Sequence, residues 1–183
     1  MEKNPLYTIG HGHRKQEEFL ELLRKFEILY LIDVRSQPYS KFNPGFNQSE
    51  IKIFLENNSV KYVYMGDTLG GMPKDISCYT IRGNVDYEIL KTKEYFLNGI
   101  ERLKTAYNQN LKIAIMCSES KPTECHRTKL IGRVLSEQDI SVVHIDEKGN
   151  LKDQITVINE LNKGCAEIDL FGEKKNTASR KTH

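Results

Sequence analysis

The chain has 183 residues and a formal net charge of +2. Hydrophobic residues make up 38% and charged residues 28%, the balance of an ordinary globular chain with room for one core, which excludes a disordered or low-complexity protein. No apolar run approaches the roughly 20 residues of a bilayer crossing and the first residues lack an apolar signal core, so a cytoplasmic address is expected. So small a charge announces no global nucleic-acid-binding field, and any basic surface has to be local.

In chain order, Leu6 to Gly10 reads as a first strand. Glu17 to Phe26, with Phe19, Leu20, Leu22, Leu23 and Phe26 on one stripe, reads as a helix. The unalternated run Ile28 to Val34 suits a second strand covered on both faces. A loop rich in Pro, Asn and Gly, Pro38 to Asn47, leads to a short helix for which Ser49 is the expected N-cap, and Val60 to Met65 supplies a third strand. Asp67 to Asp86, punctuated by Gly70, Gly71, Pro73 and Gly83, reads as one long loop and suggests a lid. Helical spacing resumes from Tyr87 to Tyr107, and Leu111 to Met116 is the fourth strand. Pro122 opens a helix with Leu130, Ile131, Val134 and Leu135 on its buried stripe, and Ser141 to Ile145 is the fifth strand.

This alternation predicts an α/β protein: a single three-layer domain over residues 1–162, with a mainly parallel sheet of about five strands flanked by helices in a Rossmann-like layout. Residues 163–183 turn polar and basic and are expected to form a flexible tail. Right-handed crossovers put every strand-to-helix loop at one edge of such a sheet, where ligands bind. That edge collects His11, His13 and Arg14 after the first strand and Asp33, Arg35 and Ser36 after the second. Asp67, Gly70 and Gly71 follow the third strand, and Cys117 and Glu119 the fourth.

Thr8-Ile9-Gly10-His11, Leu31-Ile32-Asp33-Val34-Arg35 followed by Pro38 and Ser40, Leu69-Gly70-Gly71, Cys117-x-Glu119 and Cys125-His126-Arg127 together resemble the family catalogued as domain of unknown function 488. The resemblance spans Tyr7 to Asp146. It implies the α/β architecture and carries no settled activity onto these positions.

Each candidate has a functional and an ordinary reading. Cys117 ends a strand before a loop and helix, where helix amides and an arginine stabilise a thiolate, as in rhodanese-like sulfurtransferases and cysteine phosphatases. Those enzymes close an anion-sized cradle over a shorter spacing than the nine residues between Cys117 and Arg127, and Glu119 would repel an anion there. A buried cysteine can also be simple packing. The four cysteines, Cys78, Cys117, Cys125 and Cys165, are expected to be reduced thiols. A metal site from Cys117, Cys125 and a histidine is conceivable, but the gap is not that of a zinc hairpin, and Cys125, His126 and Arg127 in one helical turn would diverge by about 100° per residue. No metal or cofactor is therefore assigned.

Arg127 and Arg35 are expected to hold anionic oxygens, with pairing to Glu119 or Asp33 as the ordinary alternative. His11 beside Asp33 would make an acid–base pair, Glu119 is a second acid or base, and Ser36, His13, Gly70 and Gly71 are placed around the substrate. Tyr39, Phe42 and Phe46, interleaved with Lys41 and amide side chains, could stack on a base or simply pack. Glu167-Ile168-Asp169-Leu170-Phe171 resembles the peptides by which bacterial DNA repair and replication proteins dock on the sliding clamp; the alternative is that its apolar residues fold onto the core.

These features favour an enzyme, a hydrolase or transferase, acting on a nucleotide or nucleic acid, conceivably in DNA repair. The rivals are a Cys117-dependent sulfur or phosphoryl transferase and a non-catalytic module brought to DNA by the tail peptide.

Overall fold

A computed structural model describes residues 3–163. Residues 164–183, which hold Cys165 and the peptide Glu167 to Phe171, lie outside the described residues.

Six strands form one sheet: β1 (Leu6–Gly10), β2 (Tyr30–Asp33), β3 (Lys61–Tyr64), β4 (Ile113–Cys117), β5 (Val142–Ile145) and β6 (Leu151–Asp153). Their spatial order is β3-β2-β4-β1-β5-β6, parallel throughout except for β6, which runs antiparallel to β5. The α/β class and the mainly parallel sheet are thus as expected. The order departs from the 3-2-1-4-5-6 dinucleotide-binding arrangement, because β4 sits between β1 and β2. The sixth strand escaped notice because Leu151–Asp153 is too short for a periodicity. It follows a turn tied by the Asp146 carboxylate, which accepts from the amides of Lys148 at 2.9 Å and Asn150 at 2.8 Å.

The core is split by the sheet. On one face α1 (Gln16–Lys25) and α2 (Gln48–Glu56) bury Phe19, Leu20, Leu23, Ile51 and Leu55 against Ile9, Leu31 and Met116. On the other, α5 (Glu94–Asn108) and the segment leading into α6 (Arg133–Ser136) bury Phe96, Ile100, Leu103, Leu130 and Leu135 against Ile32, Val34 and Ile115. Ile115 and Met116, consecutive on β4, face opposite layers, as the period-2 geometry of a strand requires.

Several local expectations are corrected. The N-cap of α2 is Asn47, not Ser49. The helix expected from Tyr87 to Tyr107 is two, α4 (Tyr87–Leu90) and α5, because the Thr92 hydroxyl takes the Ile89 carbonyl at 2.8 Å and competes with helix propagation. The stretch after β3 is not a structureless loop: α3 (Gly66–Leu69), a 3₁₀ turn (Ile76–Cys78) and a bridge from Tyr79 to Val85 organise it, and Cys78 pins it to the core. The helix expected at Pro122 is a 3₁₀ turn (Pro122–Glu124), an extended Cys125, and a π-helical segment (Arg127–Gly132) running into α6. Among the described residues no helix is long and apolar enough to cross a membrane.

Candidate functional site

After β2 the chain crosses one face of the sheet through α2, and after β4 it crosses the other through the segment leading to α6. Adjacent parallel strands whose continuations part to opposite faces leave a crevice at their carboxyl ends. A cavity of about 400 Å³ opens there, lined by Arg35, Ser36 and Gln37 after β2, by Cys117, Ser118 and Glu119 at the end of β4, and by His126. Gly71, Met72, Tyr79 and Tyr87 from the excursion after β3 complete the wall.

The loops after β1, β2 and β4 meet. The amides of His11 and Gly12 donate to the carbonyls of Cys117 and Ser118 at 3.1 and 2.9 Å. Gly10 permits this approach: a Cβ on it would stand 1.8 Å from the Glu119 carbonyl oxygen and 2.5 Å from an Arg127 nitrogen. Arg14 donates to the carbonyls of Gly10 and Asp146, fastening the ends of β1 and β5 together.

Asp33 is fully buried. It accepts from Arg35 Nε at 2.9 Å, Arg35 NH2 at 2.6 Å and the Tyr62 hydroxyl at 2.6 Å. Burial, with the Asp33 charge beside it, pushes the Tyr62 phenol well above its ordinary value. Three of the five guanidinium N–H donors of Arg35 are engaged, one of them directed at His11 Nε2 at 3.3 Å, and two remain. The expected His11–Asp33 pair therefore does not form, because the Arg35 guanidinium stands between them. A carbonyl only accepts and a guanidinium only donates, so His11 carries its proton on Nδ1, toward the Gly12 carbonyl 3.1 Å away, and presents the Nε2 lone pair to Arg35. Its ring stacks on Phe46 at 4.5 Å between centroids. Burial, reinforced by the Arg35 charge, lowers His11 to about 4, which leaves it neutral at physiological pH.

Arg127 lies wholly inside. Instead of reaching for an external anion or the Glu119 carboxylate, it donates from NH1 to the Glu119 carbonyl at 2.8 Å and the Cys117 sulfur at 3.1 Å, and from NH2 to the Ser120 carbonyl at 3.1 Å. Burial draws it down to about 9, so it remains a cation at neutral pH. The guanidinium builds the loop carrying Glu119 and lies against the Cys117 sulfur.

The expected divergence of Cys125, His126 and Arg127 fails because Cys125 is extended rather than helical. Its sulfur is paired with that of Cys117 as a disulfide, where reduced thiols were expected, across Cα atoms 7.4 Å apart. The sulfurs and the Glu119 carboxylate all lie within 4.8 Å of one another. His126 Nδ1 is 3.6 Å from the Cys125 sulfur, and its Nε2 is buried without a hydrogen-bond partner. Burial lowers the pKa of this ring, against the pull of Glu119.

Of the remaining predicted residues, Ser36 lines the cavity and its hydroxyl accepts from the Met72 amide at 2.9 Å. Gly70 packs on Ser36 and the Gly66 carbonyl, and Gly71 on the His126 ring, so both let chain approach chain. His13 is exposed and away from the cavity wall. Tyr62, Tyr79 and Tyr87 were missed by sequence reasoning: they lie in β3, in the excursion after it and at the start of α4, and only the three-dimensional crossing brings them here. The structure thus joins His11, Asp33 and Arg35 in one chain of contacts, and Cys117, Glu119 and Arg127 in another.

The match to the family model described as Domain of unknown function DUF488 covers residues 15–134, and the chain belongs to that family. The match includes Arg35, Cys117, Glu119 and Arg127, whereas His11 precedes it. No curated protein and no solved structure matches the chain.

Proposed function

We propose that this DUF488 protein is an enzyme acting on a nucleotide or nucleic-acid substrate, in the cavity between the ends of β2 and β4. The observation that carries the proposal is the lining of that cavity: the immobilised guanidinium of Arg35 shares its wall with Cys117 and Glu119, and the Cys125 sulfur lies within 4.8 Å of both their donor atoms. Structural domains have little need of such a grouping at a switch-point crevice. In this reading Asp33, Tyr62 and His11 hold Arg35 so that its remaining N–H donors meet an anionic oxygen of the substrate, and Glu119 works at the reacting centre. Asp33 and His11 are then positioning residues, since their polar atoms are spent on Arg35, Tyr62 and Gly12.

The nucleic-acid side of the reading draws on the loop that begins at the cavity wall with Gln37. Tyr39 and Phe42 are 71% and 91% exposed on either side of the exposed Lys41. Two bare aromatics around a cation suit stacking on unpaired bases, whereas Phe46, expected to join them, is buried under His11. A tail peptide docking on the sliding clamp would deliver such an enzyme to DNA. The test is an assay of the purified chain on oligonucleotides carrying base or backbone lesions, beside Arg35→Gln and Glu119→Gln. Loss of activity in both variants supports the reading, and full activity in both removes it.

A second reading, group transfer at a nucleophilic Cys117, is favoured by the Arg127 donor 3.1 Å from its sulfur. It expects Cys117 to be alkylated well below pH 8, and a thiol reacting no faster than a free one argues against it.

A further inference from the structure

Two buried sulfurs and a carboxylate arriving from different segments is an arrangement that packing alone does not call for. Cys117 comes from the end of β4, Glu119 from the loop after it, and Cys125 from the extended residue before the π-helical segment. Their donor atoms lie within 4.8 Å of one another. An ion about 2.3 Å from sulfur and about 2.0–2.2 Å from a carboxylate oxygen has its three ligands gathered here once the two sulfurs, paired in this structure, are reduced and part to about 3.8 Å. The Cα atoms of the two cysteines stand 7.4 Å apart, beyond the roughly 4.4–6.8 Å that a disulfide spans without backbone movement. The paired sulfurs therefore sit on a backbone spaced wider than a disulfide's, as two thiolates sharing a third partner need.

Three further observations point the same way. His126 Nε2 is buried at this cavity without a partner, and the same ring's Nδ1 lies 3.6 Å from the Cys125 sulfur. The ring thus stands against the sulfur pair, at the side of the cluster that meets the cavity. The charges also close: two thiolates and one carboxylate beside the Arg127 guanidinium leave an excess that one divalent cation cancels. Finally, Cys117, Glu119 and His126 all line the cavity, so an ion held there has a face open to it.

We propose that Cys117, Cys125 and Glu119 bind a single divalent transition-metal ion, with zinc the ion that suits the donors, and that its fourth position opens into the cavity beside His126 for water or substrate. Three protein ligands with one open position is the pattern of catalytic rather than structural zinc. The inference rests on the enzyme reading above and supplies its cofactor, with Glu119 acting as a ligand. Arg127 serves by holding the Glu119 backbone and the Cys117 sulfur in place.

The full chain, stripped with a chelator under reducing conditions, is titrated with Zn²⁺ alone against a chromophoric competitor, and separately with Co²⁺. Expected are one ion per chain and a sulfur-to-cobalt charge-transfer absorption. Cys125→Ser should weaken that absorption, and Cys78→Ser should leave it unchanged. Glu119→Gln, at an exposed position that should not disturb folding, should keep the absorption and weaken zinc affinity by on the order of tenfold or more. No uptake at micromolar free zinc, equal affinity in Glu119→Gln and the parent chain, or a Cys117–Cys125 disulfide in anaerobically purified protein would each overturn the site. Activity on nucleic acid without metal uptake sinks this inference and leaves the proposed function standing; stoichiometric uptake with no action on nucleic acid does the reverse.

Discussion

The Asp33 carboxylate grips the Arg35 guanidinium through both oxygens, 2.9 Å from Nε and 2.6 Å from NH2, with one residue between them in the chain. Both side chains are almost entirely shielded from water, at 0% and 3% exposure. A buried pair of this kind adds little net stability over an apolar pair, but breaking it strands a charge. Asp33→Asn should therefore destabilise the fold by about 3–5 kcal/mol, while Asp33→Asn combined with Arg35→Gln should recover part of that loss. Urea unfolding measures both. A single variant within 1 kcal/mol of the parent would mean, for a buried pair, that the charge is solvated after all.

Gly10 gives a prediction of close approach. Because a Cβ there would overlap the Glu119 carbonyl, Gly10→Ala has to push the Cys117–Ser120 loop off the end of β1, against a backbone that Arg127 also holds. We expect a stability loss at or above the about 1–3 kcal/mol typical of overpacking, together with loss of whatever the cavity binds. Gly83→Ala is the comparison: it meets nothing within 4 Å and has a φ of +77°, so only about 1 kcal/mol of backbone strain is expected. Equal melting temperatures for the two variants would contradict the contact geometry.

His144 supplies a pH dependence. It is fully buried; its Nδ1 accepts from the Thr8 hydroxyl at 2.7 Å and its Nε2 donates to Gln154 Oε1 at 2.6 Å. Burial lowers it from 6.5 to about 4. The unfolded chain thus binds a proton more readily than the folded one between those values, and stability rises with pH across that window. The contribution is complete above pH about 6.5 and drains away as pH falls toward 4, amounting to about 3 kcal/mol by linkage. His144→Asn should lower stability at neutral pH and flatten its slope between pH 6.5 and 4. An unaltered slope would show that other groups carry the acid sensitivity.

How far the sequence foretold this can be seen strand by strand. β1 was legible to the residue, since Leu6 to Gly10 is bounded by Pro5 and by a glycine before a polar run. The unbroken apolar runs around β2 and β4 marked strands covered on both faces, and they are central in the sheet. That the loops carrying His11, Arg35 and Glu119 would meet followed from the handedness of the crossovers. Which atoms would pair did not follow. Arg127 turns inward and Cys125 toward Cys117 because an extended residue interrupts what periodicity reads as one helix, and a single non-helical residue leaves no trace in an apolar stripe. Likewise the Asp33–Arg35 fork excludes His11 for a reason of reach that residue spacing does not encode.

The exposed aromatic loop separates binding from folding. Tyr39 and Phe42 belong to neither apolar core cluster and stand largely in solvent. Tyr39→Ala with Phe42→Ala should therefore change stability by less than about 0.5 kcal/mol per position, as surface substitutions usually do. If the loop stacks on bases, the double variant should lose about 1–3 kcal/mol of binding per stacked base, or about 5- to 150-fold for each. Lys41→Ala, by contrast, should weaken binding mainly at low salt, because its contribution is electrostatic. Fluorescence anisotropy with a single-stranded oligonucleotide at two salt concentrations measures both variants. The double variant binding as tightly as the parent at both concentrations would assign the loop a role other than nucleic-acid contact.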